Sequence, residues 1–427
     1  MAHLHTPQAE SHFTLSLTTI THGGAALGRD EDGRAIFVPY ALPGETVRVE
    51  IVEDKGRYAF AQPIEVLTPS TDRVSPHCPH FGPSGCGGCH WQHADYVAQL
   101  RFKREIVLDQ LTRIGQLADP LVHATWPDPT GWAYRNHAQF HPAASQGLGF
   151  QAADGHGVVP IDECPVLHPL LAELYAALDL DLTGLIRLSL RAGTETGERM
   201  LVFEMRDDLP PAILLNLPAS CVLLLSDGAF ANLIGSNYFT ETVAGRTYRV
   251  SAPSFFQINT PQATRLVALV LEYLDLHNGE TVLDAYCGVG LFTAHLAPHA
   301  GLVIAVEQAP AAVDDLLENT ADYDNVDVIE GPVEAVLPDL DVPLDAAVLD
   351  PPRSGIDRYA LDALGKAAPR RIVYVSCDPA TLARDARRLS RMGYYLAEVQ
   401  PVDMFPQTYH IESVARFVLQ PAEENAE

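Results

Sequence analysis

The sequence predicts an α/β protein that begins with a small β-barrel. Residues 12–67 contain short stretches rich in β-branched and aromatic residues, separated by turn formers, as expected of a barrel. From residue 263 onwards, helix-like and strand-like stretches alternate, which is typical of a parallel sheet covered by helices. Residues 132–250 follow neither pattern and predict mixed strands and loops. We therefore expect three domains, at residues 1–68, 69–250 and 251–427.

Length and composition argue against a membrane-spanning or secreted protein. The chain has 427 residues, 47% of them hydrophobic, but no apolar run approaches the roughly 18 residues that a membrane helix needs. The opening sequence MAHLHTPQAESHF lacks the basic and apolar stretches of a secretory signal. Seven cysteines, an odd number, speak against a disulfide framework. We expect a cytoplasmic monomer whose cysteines bind metal, act in catalysis or are simply buried.

The net charge of −27 counts against a nucleic-acid partner, because phosphate binding depends on Lys and Arg. The charge is uneven, however. Residues 314–345 contain eleven Asp and Glu but no Lys or Arg, whereas residues 370–391 contain six Arg against two Asp. A local basic surface is therefore compatible with an acidic protein.

Four stretches of the N-terminal barrel are predicted strands: HFTLSLTTI, AIFVPY, ETVRVEIVED and YAFAQPIEVL. THGGAALGRDEDGR is predicted to be a connecting loop. A helix is predicted at residues 95–115, and we expect it to pack on the C-terminal domain. It bears Arg101, Lys103 and Arg104, which we expect on a solvated face. Its predicted apolar positions are Val97, Leu100, Val107, Leu111 and Ile114.

The stretch TVLDAYCGVGLFTAHLA (281–297) predicts a strand ending at Asp284, a turn through Gly288 and Gly290, and a helix. Glycines at such a turn let the backbone approach a ligand where a strand of an open α/β sheet ends. The next predicted strand, LVIAVE, ends at Glu307, where an acid can hold ribose hydroxyls. The third glycine of a dinucleotide-binding turn is missing. The pattern favours a nucleoside cofactor such as S-adenosylmethionine over NAD, and a tight turn without a ligand is the alternative.

Two further strands are predicted to place reactive groups at the same sheet edge. LDAAVLDPPRSG carries Asp350 on a loop stiffened by two prolines. RRIVYVSCDPATLARD predicts a strand over residues 371–376 that brings Cys377 to the edge, with Pro379 in the first turn of a helix. The dipole of that helix favours a thiolate. A buried, inert cysteine is the alternative, but the neighbouring signals favour a reactive one.

Five motifs occur in order over roughly 160 residues: SFFQIN, LDAYCGVG, LDPPRSG, YVSCDPATLARD and PQTYHIESV. Together they resemble the S-adenosylmethionine-dependent RNA uracil-5-methyltransferase family, and the resemblance covers nearly the whole chain. Bacterial members that modify ribosomal RNA begin with a TRAM domain, an OB-like barrel, followed by a cysteine-rich iron–sulfur region. The resemblance implies a Rossmann-like methyltransferase domain, an N-terminal TRAM barrel and a central α+β iron–sulfur domain.

The resemblance also implies roles for individual residues. Cys377 corresponds to the nucleophile that adds to uracil C6, and Glu412 to the general base that removes the C5 proton. His410 is a candidate for orienting the site, with a plain structural role as the alternative. The chain departs from the family pattern at Leu291 and Gly331, so we assign no adenosine contact there. The implied cofactor-binding residues are Gln257, Tyr286, Glu307 and Asp350.

The segment CPHFGPSGCGGCHWQH contains Cys78, Cys86 and Cys89, and Cys164 follows far downstream. Four cysteines with one C-x-x-C pair and nearby glycines suit a [4Fe–4S] cluster, which the resemblance also implies. Zinc is one alternative, because histidines are close by, and a segment without metal is the other. These histidines are His77, His80, His90 and His93. Of the remaining cysteines, Cys221 lies in an apolar run and is expected in the core, whereas Cys287 lies in the glycine turn.

The predicted substrate is a uridine in an RNA loop, because duplex RNA stacks C5 and C6 away from side chains. The barrel and cysteine region point to 23S rRNA, and tRNA is the alternative, since some barrel-bearing members act on tRNA. An enzyme that methylates proteins or small molecules would need neither the barrel nor the cysteine–glutamate pair. A non-catalytic RNA-binding iron–sulfur protein is the alternative of another class. Such a protein is expected to lose Cys377, Glu412 or Asp350, and all three are present.

Overall fold

Five strands close the N-terminal barrel, one more than the sequence predicts. The computed structural model describes residues 12–144 and 147–421. The barrel strands are β1 (His12–Ile20), β2 (Ala26–Arg29), β3 (Ala35–Val38), β4 (Thr46–Asp54) and β5 (Tyr58–Thr68). They close in the order β1-β2-β3-β5-β4, so the predicted barrel is confirmed. The prediction of a loop at β2 is wrong, because four residues after two glycines are too few to show an alternating pattern.

A seven-stranded sheet dominates the central region. The elements are α1 (Tyr96–Arg113), β6 (His137–Pro142), β7 (Leu148–Gln151), β8 (Val158–Pro160), α2 (Pro169–Ala176), β9 (Leu178–Leu180), β10 (Leu185–Ala192), β11 (Arg199–Met205), β12 (Ile213–Leu215), β13 (Ser220–Leu224), β14 (Phe230–Ile234), β15 (Tyr238–Val243) and β16 (Arg246–Ser251). The sheet order is β14-β13-β11-β10-β6-β7-β8, while β9 pairs with β12 and β15 with β16. Cys221 is buried in the core of this sheet, as expected. The eight residues of α2 were not predicted as a helix, because so short a segment shows little periodicity.

The C-terminal half alternates helices and strands around a second seven-stranded sheet, as predicted. The elements are α3 (Thr260–Leu274), β17 (Thr281–Ala285), α4 (Leu291–Leu296), β18 (Leu302–Glu307), α5 (Pro310–Asn319), β19 (Val326–Glu330), α6 (Val333–Val336), a 3₁₀ turn (Leu337–Asp339), β20 (Ala346–Leu349), α7 (Arg358–Ala367), β21 (Arg371–Ser376), α8 (Pro379–Arg391), β22 (Tyr394–Val402) and β23 (Glu412–Leu419). The order is β19-β18-β17-β20-β21-β23-β22. The first five of these strands run parallel, and β23 runs antiparallel to both neighbours. The start of β23 therefore meets the carboxyl ends of the parallel strands at one edge.

One apolar core connects the barrel to this C-terminal sheet. It runs from Val47 in the barrel through Phe102 of α1 to Leu349 and Tyr374 on one face of the sheet. Val348 is buried in a second core on the other face. Burial on both faces is typical of parallel strands. The shared core fixes the barrel against the sheet. Among the described residues, no helix is long and apolar enough to cross a membrane.

Helix α1 packs on α8, as expected, but its buried face differs from the predicted one. Lys103, expected on a solvated face, is fully buried, and its Nζ lies 2.5 Å from Asp403 Oδ1 and donates to the carbonyl of Phe405. Val97, predicted as an apolar contact position, is 70% exposed. Both predictions are wrong because the partner of the lysine lies 300 residues away, so the pattern of α1 alone does not show which face is buried.

Candidate active site

Cys377 and Glu412 lie opposite each other at the carboxyl edge of the C-terminal sheet. In the antiparallel pairing of β21 with β23, Ser376 is the partner of Ser413. The next position beyond β21 is Cys377, and the position before Ser413 is Glu412, so the two residues face each other across the strands. Cys377 is half-buried and Glu412 is only 4% exposed. The structure thus brings the predicted nucleophile and the predicted base together.

Two more charged groups surround this pair. Burial raises the pKa of Asp350 to about 7, and the charge of Asp284 adds to the effect. Burial also raises the pKa of Glu412 well above its ordinary value, the charge of Asp350 raises it further, and Arg353 opposes the rise. Because the carboxyl groups of Asp350 and Glu412 interact in a buried site, they do not both carry full charge near neutral pH. Arg353, in the motif LDPPRSG, was not singled out by the sequence analysis.

Burial also controls the Cys377 thiol. It raises the pKa of this thiol to about 12, and the two neighbouring carboxyl groups add to the rise. The expected stabilisation of the thiolate by the dipole of α8 is therefore outweighed. One reason why the helix dipole stabilises the thiolate so little is Asp378. Its Oδ1 accepts hydrogen bonds of 2.9 Å from the N–H groups of both Ala380 and Thr381. The start of α8 is thus already capped by a carboxylate.

The glycine turn after β17 is held by Glu307, which the sequence predicts only as a group that holds ribose hydroxyls. Glu307 Oε2 accepts a hydrogen bond of 2.9 Å from the N–H of Gly288, and Oε1 accepts bonds of 2.8 Å from the N–H groups of Gln308 and Ala309. At Gly290 the φ angle is +89°, and an added Cβ would lie 2.5 Å from a side-chain atom of α5. Only glycine fits this approach of the turn to the helix. A Cβ added at Gly288 would have no other atom within 4 Å.

Asp284 is a fully buried carboxyl group that the sequence analysis treated only as the end of a strand. Its Oδ2 accepts a hydrogen bond of 2.6 Å from Thr293 Oγ1. Its Oδ1 is buried and has no hydrogen-bond partner within the described residues. Burial raises the pKa of this group to about 7. An acid inside an apolar strand, directly before a glycine turn, was the signal that could have identified it.

Tyr286 lies beside a basic cavity. Its backbone has a φ of 63°, and its N–H donates to the carbonyl of Val306 at 3.0 Å. The cavity has a volume of about 710 Å³ and is also lined by Pro352 and Asp357. Its basic lining residues are Arg358, Arg384, Arg387, Arg388 and Arg391. The arginine-rich stretch noted in the sequence therefore contributes a local basic surface next to a predicted site residue.

Gln257 and His410 are held by contacts of other kinds. Gln257 is buried in the loop before α3, and its carbonyl accepts a hydrogen bond of 3.0 Å from Asn136 Nδ2, which belongs to the central region. His410 Nδ1 lies 3.4 Å from a guanidinium nitrogen of Arg353. Burial lowers the pKa of His410 to about 3, so its imidazole is neutral near pH 7. His410 thus contacts the charged group beside Glu412.

The four cysteines predicted as metal ligands line one small cavity. Cys78, Cys86, Cys89 and Cys164 surround a volume of about 30 Å³ together with Arg135. Burial raises the pKa of Cys89 to about 12 and that of Cys164 to about 11. Throughout the described ranges, no three His, Cys, Asp or Glu side chains have the arrangement that a metal ion needs. The predicted iron–sulfur centre is therefore not confirmed, although the four predicted cysteine ligands line the same cavity.

Comparisons with known proteins extend over nearly the whole chain. Residues 11–64 match the TRAM domain family, and residues 233–336 and 339–418 match the tRNA (uracil-5-)-methyltransferase family. An uncharacterized RNA methyltransferase of Streptomyces avermitilis is 35% identical over 96% of this chain and 98% of its own. Another, from Gloeobacter violaceus, is 36% identical over 94% of this chain and 95% of its own.

A solved structure matches over nearly the same length. It is the crystal structure of Pyrococcus abyssi tRNA (uracil-54, C5)-methyltransferase in complex with S-adenosyl-L-homocysteine, with 27% identity, a TM-score of 0.75, and coverage of 95% of this chain and 100% of that one. The fold and these matches show an S-adenosylmethionine-dependent RNA methyltransferase. The chain belongs to the RNA uracil-5-methyltransferase family. The predicted family, methyltransferase fold and TRAM barrel are confirmed.

Proposed function

We propose that this protein methylates C5 of uridine in RNA, with Cys377 as the nucleophile and Glu412 as the general base. The observation that carries this proposal is the register of β21 and β23, which sets the thiol and the carboxyl group face to face at the ligand-binding edge of the sheet. Asp350 and Arg353 lie close to both residues. The charge of Asp350 raises the pKa values of Cys377 and Glu412, and that of Arg353 lowers them.

The two residues divide the chemistry between them. The Cys377 thiolate adds to C6 of uracil, which makes C5 an enolate carbon that attacks an electrophilic methyl group. Bound S-adenosylmethionine supplies that methyl group together with a positive sulfonium charge. Glu412 then takes the C5 proton, and the electron pair left behind expels the Cys377 thiolate from C6. A carboxylate with a raised pKa is a better proton acceptor at neutral pH than an ordinary one, which suits Glu412 for this step.

The charges around Cys377 fit a thiol that is neutral at rest. Its raised pKa keeps the ligand-free thiol protonated near pH 7, which limits its oxidation. Arg353 opposes that rise and is the positive group that the chain itself provides. Activation of Cys377 therefore depends on positive charge that offsets Asp350 and Glu412 when the site fills, so that the thiol loses its proton to water and Glu412 stays ionised to accept the C5 proton.

For the cofactor we assign Gln257, Tyr286, Glu307 and Asp350, in agreement with the sequence analysis. Glu307 is oriented by three backbone N–H groups, and carboxylate oxygens retain further acceptor capacity for ribose hydroxyls. We add Asp284, whose buried Oδ1 has no hydrogen-bond partner in the described part of the chain and therefore fits a positively charged ligand. The open space at Gly288 leaves room for the ligand to approach the backbone.

For the cysteine cavity we propose a [4Fe–4S] cluster held by Cys78, Cys86, Cys89 and Cys164. Two observations support the fit. The N–H of Gly88 lies 3.3 Å from Cys86 Sγ, as is common for sulfurs around such clusters, and Arg135 lies where it can offset the negative charge of thiolates. The cluster would supply structural rigidity to the region that joins the barrel to the catalytic half. Zinc remains the alternative occupant.

For the RNA class we propose 23S rRNA, because the barrel and the cysteine region together resemble the ribosomal branch of the family. A specific observation favours tRNA as a second candidate. The full-length structural relative from Pyrococcus abyssi is by its name a tRNA methyltransferase. In both RNAs the target uridine must be unstacked, since C5 and C6 are inaccessible in a duplex.

Two experiments test the function. RNA that contains 5-fluorouridine should trap a covalent complex with the wild-type chain, because fluorine at C5 is not removed as a proton is. Absence of both a complex and methyl transfer would favour a non-catalytic RNA-binding protein. Deletion of the gene, followed by mass-spectrometric mapping of 5-methyluridine, should remove the modification from 23S rRNA. Loss confined to tRNA would overturn the ribosomal assignment and leave the chemistry intact.

A further inference from the structure

The tip of the barrel, residues 21–25 between β1 and β2, reaches the loop that carries Cys377. His22 Nε2 lies 3.3 Å from Asp378 Oδ2. Asp378 directly follows Cys377 and precedes α8. A residue more than 350 positions away in the sequence therefore contacts the neighbour of the proposed nucleophile.

The two carboxylate oxygens of Asp378 contact different partners. Its Oδ1 accepts the N–H groups of Ala380 and Thr381, and Oδ2 faces His22. Its backbone N–H donates to Ser376 Oγ at 3.2 Å. Burial alone would raise the pKa of this carboxyl group, but the contact with His22 and the backbone donors hold it at about 2. Asp378 is thus a charged link between the barrel tip and the Cys377 loop.

The same tip supports the other side of the site. Gly24 has a φ of +85°, and a Cβ added there would lie 2.7 Å from Tyr409 Cδ1. The carbonyl of Gly24 accepts a hydrogen bond of 3.0 Å from the buried Trp91 Nε1. Tyr409 precedes Glu412 by three residues and packs on His410, with ring centroids 4.6 Å apart. The backbone of the barrel tip therefore abuts the segment that delivers the proposed base.

We propose that the barrel tip positions both reacting groups. His22 holds the Cys377 loop in place through Asp378, and Gly24 packs against the segment that leads to Glu412. This role is distinct from the RNA-binding surface that such a barrel can provide, and it rests on the function proposed above. It explains why the barrel is packed on the catalytic half through a continuous core instead of being tethered by a linker. His22 and Gly24 are positioning residues, since they act through other groups.

The first experiment compares two glycine variants of the full-length protein. Gly23 and Gly24 both have φ near +90°, so replacement by Ala introduces similar backbone strain at each. A Cβ at Gly23 meets nothing within 4 Å, whereas one at Gly24 collides with Tyr409. Gly24→Ala should lower the rate of adduct formation at saturating 5-fluorouridine RNA by about 10- to 100-fold. Gly23→Ala should change this rate by less than about threefold, on the same reasoning.

The second experiment removes the His22 contact. His22→Ala should lower the saturating rate by about tenfold and leave RNA affinity within about twofold, because a displaced nucleophile slows chemistry and not binding. His22→Gln, which keeps a donor, should restore much of the rate. The control is His12→Ala at the exposed start of β1, about 26 Å along the strand from the tip. Hydrogen exchange at Ala380 and Thr381 should quicken in His22→Ala and stay unchanged in His12→Ala.

The outcomes separate this proposal from the proposed function. Tip variants that weaken RNA binding but react normally at saturation would make the tip an RNA contact and overturn the positioning role. Tip variants that match their controls would overturn it too. A wild-type protein that forms no adduct would instead refute the proposed function. Hydrogen exchange, measured without RNA or cofactor, would then still decide whether the tip orders the Cys377 loop.

Discussion

Two groups of cysteines in this molecule have contrasting surroundings. Cys377 lies at a sheet edge among carboxyl groups and one arginine, beside a helix whose N-terminus is already capped. The other four cysteines, Cys78, Cys86, Cys89 and Cys164, line one cavity in the central region. Burial raises thiol pKa values in both places, so burial alone does not distinguish a reactive thiol from a ligand. The neighbours distinguish the two roles that we propose, because carboxyl groups can exchange protons during a reaction, whereas several thiols that line one cavity suit a bound metal cluster.

The largest predicted effect is that of Cys377→Ala. Loss of the nucleophile should reduce methyl transfer by about 10⁴-fold or more and abolish the 5-fluorouridine adduct. Because Cys377 lies outside the cysteine cavity, bound iron and the unfolding midpoint should stay at wild-type values. The measurement is methyl transfer to RNA, together with iron analysis of the same sample. Full turnover by this variant would show that Cys377 is not the nucleophile.

Glu412→Gln should have the next largest effect, on a different step. An amide cannot accept the C5 proton, so the methylated adduct should form but decay about 10²- to 10⁴-fold more slowly. The covalent complex should therefore accumulate with ordinary uridine RNA and be visible by denaturing electrophoresis. Glu334→Gln, at an acid that lines the basic cavity, is the matched control. Normal turnover of Glu412→Gln would mean that another base acts.

Cys164→Ser tests the other side of the comparison. Anaerobically purified wild-type protein should contain about four iron atoms and four sulfides per chain, and the variant should contain far less of both. RNA binding or folding should suffer more than cofactor binding, because the cavity lies in the central region. Cys221→Ser, in the apolar core of the central seven-stranded sheet, is the control and should retain its iron. Zinc without iron in wild-type protein prepared in this way would support the alternative occupant.

The sequence predicted which residues lie at the sheet edge better than it predicted how they face one another. Strand and helix boundaries around Cys377 were predictable, since an apolar run and a proline in the first turn of a helix are local signals. That Glu412 faces Cys377 was not, because it depends on the register of an antiparallel strand with β21. The capping role of Asp378 was also missed, and with it the reversal of the expected thiol pKa shift.

Contacts between distant segments were the least predictable features. Lys103 looks like a surface lysine within α1, but Asp403 makes its burial tolerable. His22 looks like part of a flexible glycine loop, but it meets Asp378. In each case the decisive partner lies hundreds of residues away, where periodicity and motif spacing carry no information.

The smallest predicted effect concerns Asp284, the buried acid that also raises the pKa of Asp350. A carboxyl group whose pKa is raised in the folded protein, here from 3.8 to about 7, binds its proton more tightly there than in the unfolded chain. The free energy of unfolding therefore falls as the pH rises from about 4 to about 7. Asp284→Asn removes this penalty and can still accept the hydrogen bond of Thr293.

Urea unfolding of the cofactor-free protein at several pH values measures this effect. Asp284→Asn should match the wild type near pH 4 and be more stable at pH 8 by at most about 4 kcal/mol. Asp327→Asn, at an exposed carboxylate on β19, should show no such pH-dependent gain. The same Asp284→Asn variant should bind S-adenosylmethionine more weakly, because a neutral amide no longer offsets a cation. A stability difference that is equal at pH 4 and pH 8 would show that the buried group does not titrate in this range.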